Sequence, residues 1–159
     1  MALLEGTFVD GQVLTNQQEW IDVEFEVALD SGCTDHVCAD VDAPGYDLEE
    51  SPGSRRGQCF IIGDGGSLPN KGQKRLNLET TDDGKVSINS VFQIARVARP
   101  LMSVGRICDL GNNILFGKDK ATVTAPNGEE IFSFVRENGG LYVARLKLKR
   151  PKPPFGGPA

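Results

Sequence analysis

Between Ile21 and Leu29 the chain alternates apolar and polar residues almost without a break. Ile21, Val23, Phe25, Val27 and Leu29 fall on one face, and Asp22, Glu24, Glu26 and Ala28 on the other. A period of two is the spacing of a strand with one buried face. A strand from Trp20 to Leu29 is therefore expected, and it delivers Asp30 at its end, followed by Ser31 and Gly32. Asp and Ser bond to nearby backbone, and Gly tolerates positive φ, so Asp-Ser-Gly is first of all a tight turn. Its position makes it more than that. A carboxylate is fixed at the end of a rigid element, beside a small hydroxyl residue and a glycine that lets another backbone come close.

The rest of the chain is punctuated by turn signals. With 159 residues it is long enough for one core and too short for two comfortable domains. Its 19 glycines separate short runs of valine, isoleucine and threonine, which favours an all-β or mainly-β domain. Residues 1–19 read as a hairpin around Asp10-Gly11, and residues 39–57 as a loop with a short helical turn. Cys59-Phe60-Ile61-Ile62 and Ser67-Leu68 flank Gly63-Asp64-Gly65-Gly66, the pattern of a hairpin with a glycine-rich tip. No helix signal and no Gly-Lys-Ser/Thr follows, so a phosphate-cradling loop fits poorly. Leu76-Asn77-Leu78 and Val86-Ser87-Ile88 flank Asp82-Asp83-Gly84-Lys85, a second hairpin, and Val91 to Ala95 alternates again. Leu101-Met102-Ser103-Val104-Gly105-Arg106 leads into a short helix ended by Gly111. Three or four strands with turns follow, the last around Leu141 to Leu146.

A carboxylate at the end of an apolar strand, then Ser-Gly, then a glycine-tipped hairpin, then an apolar pair with glycine and arginine is an ordered set. It resembles the retroviral-type aspartic proteases (retropepsins). The extension Asp30-Ser31-Gly32-Cys33-Thr34-Asp35-His36-Val37-Cys38 is most similar to the protease segment of copia-type retrotransposon polyproteins. Those proteins carry a Leu-x-Ser-Val-x-x-Leu-Cys-Asp string like the one from Leu101 to Asp109, and a Gly-Leu-Tyr ending like Gly140-Leu141-Tyr142. The likeness covers roughly residues 20–148. Two departures stand out: Cys33 occupies a position where the family usually has alanine, and the loop from Ala39 to Gly57 is longer than a minimal retropepsin needs.

The resemblance implies a mainly-β acid-protease barrel with one short helix, spanning residues 1–148. Residues 112–148 would form hairpins beyond the retropepsin minimum, and 149–159 a basic Pro/Gly-rich tail. It implies an aspartic endopeptidase that cleaves polyprotein peptide bonds, with Asp30, Ser31 and Gly32 as catalytic turn. Ile62, Gly63, Asp64, Gly65 and Gly66 would be the substrate-binding flap, closing over a peptide. Peptide hydrolysis by carboxylates needs two of them, one as base and one as acid. This chain has one Asp-Ser-Gly, and Asp35, Asp64 and Asp109 lack the Ser/Thr-Gly that should follow. The single copy implies a homodimer with Asp30 of each subunit on the two-fold axis and Ser31 bonding across to the other subunit's turn. Two alternatives stay open. One is a catalytically inactive retropepsin-fold domain that dimerises or binds peptides. The other is a small β-domain using Asp30 in a plain turn, with the basic tail as a nucleic-acid contact.

No cofactor is called for, and no metal. Cys33, His36 and Cys38 crowd into one short segment without the second spaced pair that zinc sites use. Cys33, Cys38, Cys59 and Cys108 are expected to be reduced, partly buried thiols. Net charge is −5, and Arg145, Lys147, Lys149, Arg150 and Lys152 follow Glu137 with no acid among them. Such a tail is a weak nucleic-acid contact at most, and with Pro151, Pro153, Pro154 and Gly156-Gly157 it reads as a solvated linker. No run reaches the length of a membrane span and no basic-then-apolar segment opens the chain. The expected setting is intracellular, in the cytoplasm or within virus-like particles, as part of a longer polyprotein.

Overall fold

The alternating segment forms strand β1 (Trp20–Asp30), one residue longer than its pattern, because Asp30 itself pairs with a neighbouring strand. The structure is a computed structural model that describes residues 20–82 and 85–151. The hairpin expected in residues 1–19 lies outside the described residues, as do the tip residues 83–84 and the end of the tail. After β1 come β2 (Val37–Cys38), a 3-10 turn (Asp40–Asp42), α1 (Pro52–Arg55) and the hairpin β3 (Cys59–Ile61) and β4 (Ser67–Pro69). Next are β5 (Gly72–Glu79), β6 (Ser87–Ile94), β7 (Leu101–Ser103) and α2 (Val104–Asp109). The chain ends in β8 (Asn113–Phe116), β9 (Lys120–Thr124), β10 (Glu130–Arg136) and β11 (Tyr142–Pro151).

The mainly-β expectation holds. The single short helix does not, because α1 is a second one. Ser51 and Ser54 cap it reciprocally, each hydroxyl accepting the other's backbone N–H at 3.0 and 2.9 Å. Pro52 sits in its first turn, where its missing N–H costs nothing. The stretch from Val86 to Ala95, read as two pieces, is one strand, β6, paired with β5 from Gly72↔Ile94 to Glu79↔Ser87.

The strands pair in the order β1-β7-β2-β6-β5-β11, and β11 returns to β1, so these six close on themselves. Closure removes the exposed edges that an open sheet would leave. Strands β10, β9 and β8 extend outward from β11, and β3-β4 form a separate two-stranded sheet. The closing pair is the long one: β1 and β11 run antiparallel from Ala28↔Val143 to Trp20↔Pro151. The strand β11 therefore reaches Pro151, and Lys149 and Arg150 belong to the sheet rather than to a tail. Its basic residues answer the acids of β1. Lys149 Nζ lies 2.9 Å from Asp22 and 3.4 Å from Glu79, and Arg145 reaches Glu26 at 2.8 Å and Glu137 at 2.9 Å.

Inside the ring, Phe25, Val27 and Leu29 of β1 pack with Leu76, Leu78, Phe92, Ile94, Met102 and Leu146. Phe25 and Phe92 meet edge to face, with ring centroids 5.4 Å apart. One inward position of β5 is charged. Lys74 is buried, and its ammonium bonds the Asp40 carboxylate at 2.9 Å and the Ala43 carbonyl at 2.9 Å. It fastens the 3-10 turn to the barrel. A buried cation is tolerable only when fully partnered in this way.

Candidate active site

The turn after β1 is held from three directions. Strand β7 lies parallel to the end of β1, with Ala28↔Leu101, Leu29↔Met102 and Asp30↔Ser103 in register. The apolar pair of the second motif thus packs directly beside the strand that carries Asp30. Ser103, fully buried, then grips the following loop. Its Oγ donates to Cys33 O at 2.7 Å and accepts the Arg106 N–H at 3.1 Å, capping α2. Its backbone N–H donates to His36 Nδ1 at 2.9 Å. From α2, Arg106 Nε donates to Asp35 Oδ1 at 3.0 Å, and its Nη2 reaches the same oxygen.

What this clamp leaves outward is the Asp-Ser-Gly tripeptide. Asp30 is half-buried, and Ser31 and Gly32 are exposed. Asp30 Oδ1 accepts the Gly32 N–H at 2.8 Å, which sets the carboxylate plane. A Cβ at Gly32 would come within 3.4 Å of that oxygen, a tight contact, so the small residue keeps the acid uncovered. One carboxylate serves as base or acid, not both at once. The geometry offers half of a general acid–base pair on an exposed, rigid turn.

The glycine hairpin forms as expected. Ile62 N–H donates to Gly66 O, and Gly65 N–H to Ile62 O, both at 2.9 Å, while Asp64 Oδ1 accepts the Gly66 N–H at 2.8 Å. Gly65 has φ +90°, where an L side chain is strained, and added Cβ atoms at Gly63 or Gly65 would meet nothing within 4 Å. Ile61 and Ile62 are exposed beside it. Among the described residues the tip shares no hydrogen bond with the Asp30 turn. A cleft of about 500 Å³ lies beside them, walled by Asp35 and His36 on the loop after Asp30, Gln58 at the hairpin's foot and Arg106 on α2; neither the hairpin tip nor Asp30 lines it.

Four site residues carry no periodic signal and are placed by the structure alone: Ser103, Arg106, Asp35 and His36. All four occur in the two motif strings, yet their partnerships span some seventy residues of chain. His36 is the most perturbed. Burial holds its imidazole at about 4 against an ordinary 6.5, with Arg106 pushing the same way and Asp35 opposing. The ring stacks on Phe92, with centroids 5.2 Å apart, and takes the Ser103 N–H on Nδ1, so the neutral ring carries its proton on Nε2. Above pH 6.5 both folded and unfolded rings are neutral and the site is fully stable. Below 6.5 the unfolded chain binds a proton that the folded ring refuses, so stability falls towards pH 4. The shift corresponds to roughly 3 kcal/mol. Urea midpoints across that window should fall more steeply for the wild type than for His36→Gln; parallel slopes would contradict the buried neutral ring.

All four cysteines are free. Burial, then the charges of Asp30 and Asp35, push the Cys33 thiol up to about 11, and burial takes Cys38 to about 12. Neither is a ready nucleophile or thiolate ligand. Among the described residues no three His, Cys, Asp or Glu side chains converge as a metal site, and no helix is long and apolar enough to cross a membrane. The chain matches no family model, no curated protein and no solved structure.

Proposed function

We propose that this chain is an aspartic endopeptidase of the retropepsin type, similar to the protease segment of copia-type polyproteins, and that it acts as a homodimer. The observation that carries the reading is the presentation of Asp30. It stands at the end of a buried strand, on a turn braced by Ser103, Arg106 and β7, with Ser31 and Gly32 uncovered beside it. A turn needed only to reverse the chain does not call for such bracing.

In the dimer, Asp30 of each subunit meets across the two-fold axis. Two carboxyls about 3 Å apart cannot both ionise and therefore share one proton. The ionised member takes a proton from a water held between them, and the water oxygen attacks the scissile carbonyl carbon. The protonated member gives its proton to the carbonyl oxygen. Collapse of the tetrahedral diol breaks the C–N bond, the amine leaves with a proton, and the dyad returns to its singly protonated state. Ser31 holds the two turns in register, and the hairpin from Ile62 to Gly66 closes over the peptide, excluding water. Intact Asp30 favours this over an inactive dimerisation or peptide-binding domain.

The test is incubation of the purified protein with a mixed peptide library between mildly acidic and neutral pH, with and without a statine-type transition-state inhibitor. Internal peptide bonds should be cut, and the inhibitor should stop cleavage. Binding of the inhibitor without any cleavage would select the inactive-domain reading; neither binding nor cleavage would leave only the plain turn.

A further inference from the structure

The feet of the glycine hairpin are fastened by side-chain amides rather than by apolar packing. Asn70, the residue after β4, is 7% exposed, and every polar group of its side chain has a partner. Its Nδ2 donates to Gln58 Oε1 at 3.0 Å and to Gln93 Oε1 at 2.9 Å, and its Oδ1 accepts the Gly72 N–H at 2.9 Å. Its own backbone N–H donates to Gln58 O at 2.9 Å, closing the hairpin at its base. The chain of bonds then enters the barrel. Gln93 lies on β6, and its backbone N–H donates to His36 O at 2.8 Å, on the loop that follows Asp30.

Gly53 is an independent sign of the same contact. It lies within α1, where helical backbone makes no demand for glycine. A Cβ there would stand 2.1 Å from Gln58 Oε1 and 2.7 Å from Asn70 Nδ2. The missing side chain makes room for the amide pair.

We propose that Asn70 is the positioning residue of the hairpin, fixing its pivot relative to the loop that bears Asp30. The hairpin is a two-stranded sheet of its own, and such a sheet is marginal unless anchored. Removing the Asn70 amide leaves the Gln58 and Gln93 oxygens and the Gly72 N–H without their partner, so the anchor is lost at both feet together. The catalytic consequence rests on the peptidase reading; the pivot itself does not.

Two measurements on Asn70→Leu separate these. Amide hydrogen exchange should quicken about tenfold or more at position 70 and at Phe60 and Ile62, whose N–H groups face the partner strand, while Leu76 and Leu78 in the β5–β6 pair keep wild-type protection. A purely structural role would instead raise exchange throughout. In peptide hydrolysis kcat should fall about tenfold in the folded variant, because a loose pivot misplaces the closing hairpin. Exchange confined to wild-type values, or loosened feet with unaltered kcat, would overturn the proposal. If Asn70→Leu fails to fold, Gly53→Ala carries the test, since its Cβ would press on both Gln58 Oε1 and Asn70 Nδ2 and force the amide pair apart, and it should quicken the same amides about threefold; no change there would likewise overturn it. A wild type that hydrolyses nothing would retire the peptidase reading and leave the exchange result to decide the pivot.

Discussion

Asp30→Asn is expected to abolish peptide hydrolysis, by roughly 10³-fold or more, and to leave the fold intact. The two halves of that expectation have separate causes. An amide does not ionise, so a dimer of the variant holds no carboxylate to take the proton of water and no shared acid to protonate the carbonyl. The turn survives because the Asn carbonyl oxygen replaces Asp30 Oδ1 as acceptor of the Gly32 N–H, the 2.8 Å bond that sets the side chain. The register Asp30↔Ser103 is made by backbone, and the Ser103 and Arg106 clamps act on Cys33 and Asp35. Circular dichroism and thermal midpoint should therefore match the wild type while fragments vanish from the digest. Hydrolysis at the wild-type rate would remove Asp30 from the reaction.

Phe92→Ala should cost about 3–5 kcal/mol of stability. Phe92 has no exposed surface and stands between Phe25 at 5.4 Å and His36 at 5.2 Å. Truncation loses the transfer energy of the ring and leaves a cavity that the closed ring of strands cannot easily collapse. Against a typical total of 5–15 kcal/mol, that loss leaves little folded protein under mild denaturant. It also removes the aromatic cover from His36, so the imidazole pKa should rise towards 6.5. Denaturant unfolding checks the first effect and an NMR titration of His36 the second. A loss below about 1 kcal/mol would mean the Phe92 site is not the packed centre it is taken to be.

What the residues disclosed in advance is what periodicity can carry. The alternation of Ile21 to Leu29 and the glycines at 63, 65 and 66 each specify local backbone, and β1 and the β3–β4 hairpin follow. Local pattern has no access to partners distant in the chain. The parallel pairing of β1 with β7 joins residues some seventy positions apart, and Lys74 breaks the apolar rule of an inward position only because Asp40 and Ala43 arrive to meet it. A short helical turn is expected somewhere in residues 39–57, but Pro52 and Gly53 do not mark its place; the reciprocal Ser51–Ser54 cap fixes it as α1. Arg145, Lys147 and Lys149 looked like a basic tail because their charge is uniform along the chain. Their acidic partners lie on other strands and hairpins, chiefly Asp22, Glu24 and Glu26 of β1.

The central claim is that one catalytic site is built from two copies of Asp30. Titrating the purified protein with a tight statine-type inhibitor, while following hydrolysis of a reporter peptide and the mass of the complex by sedimentation, tests it most directly. Activity should reach zero at one inhibitor per pair of chains, and the inhibited species should sediment as a dimer. Full activity from a strictly monomeric chain, extinguished at one inhibitor per chain, would contradict the shared dyad.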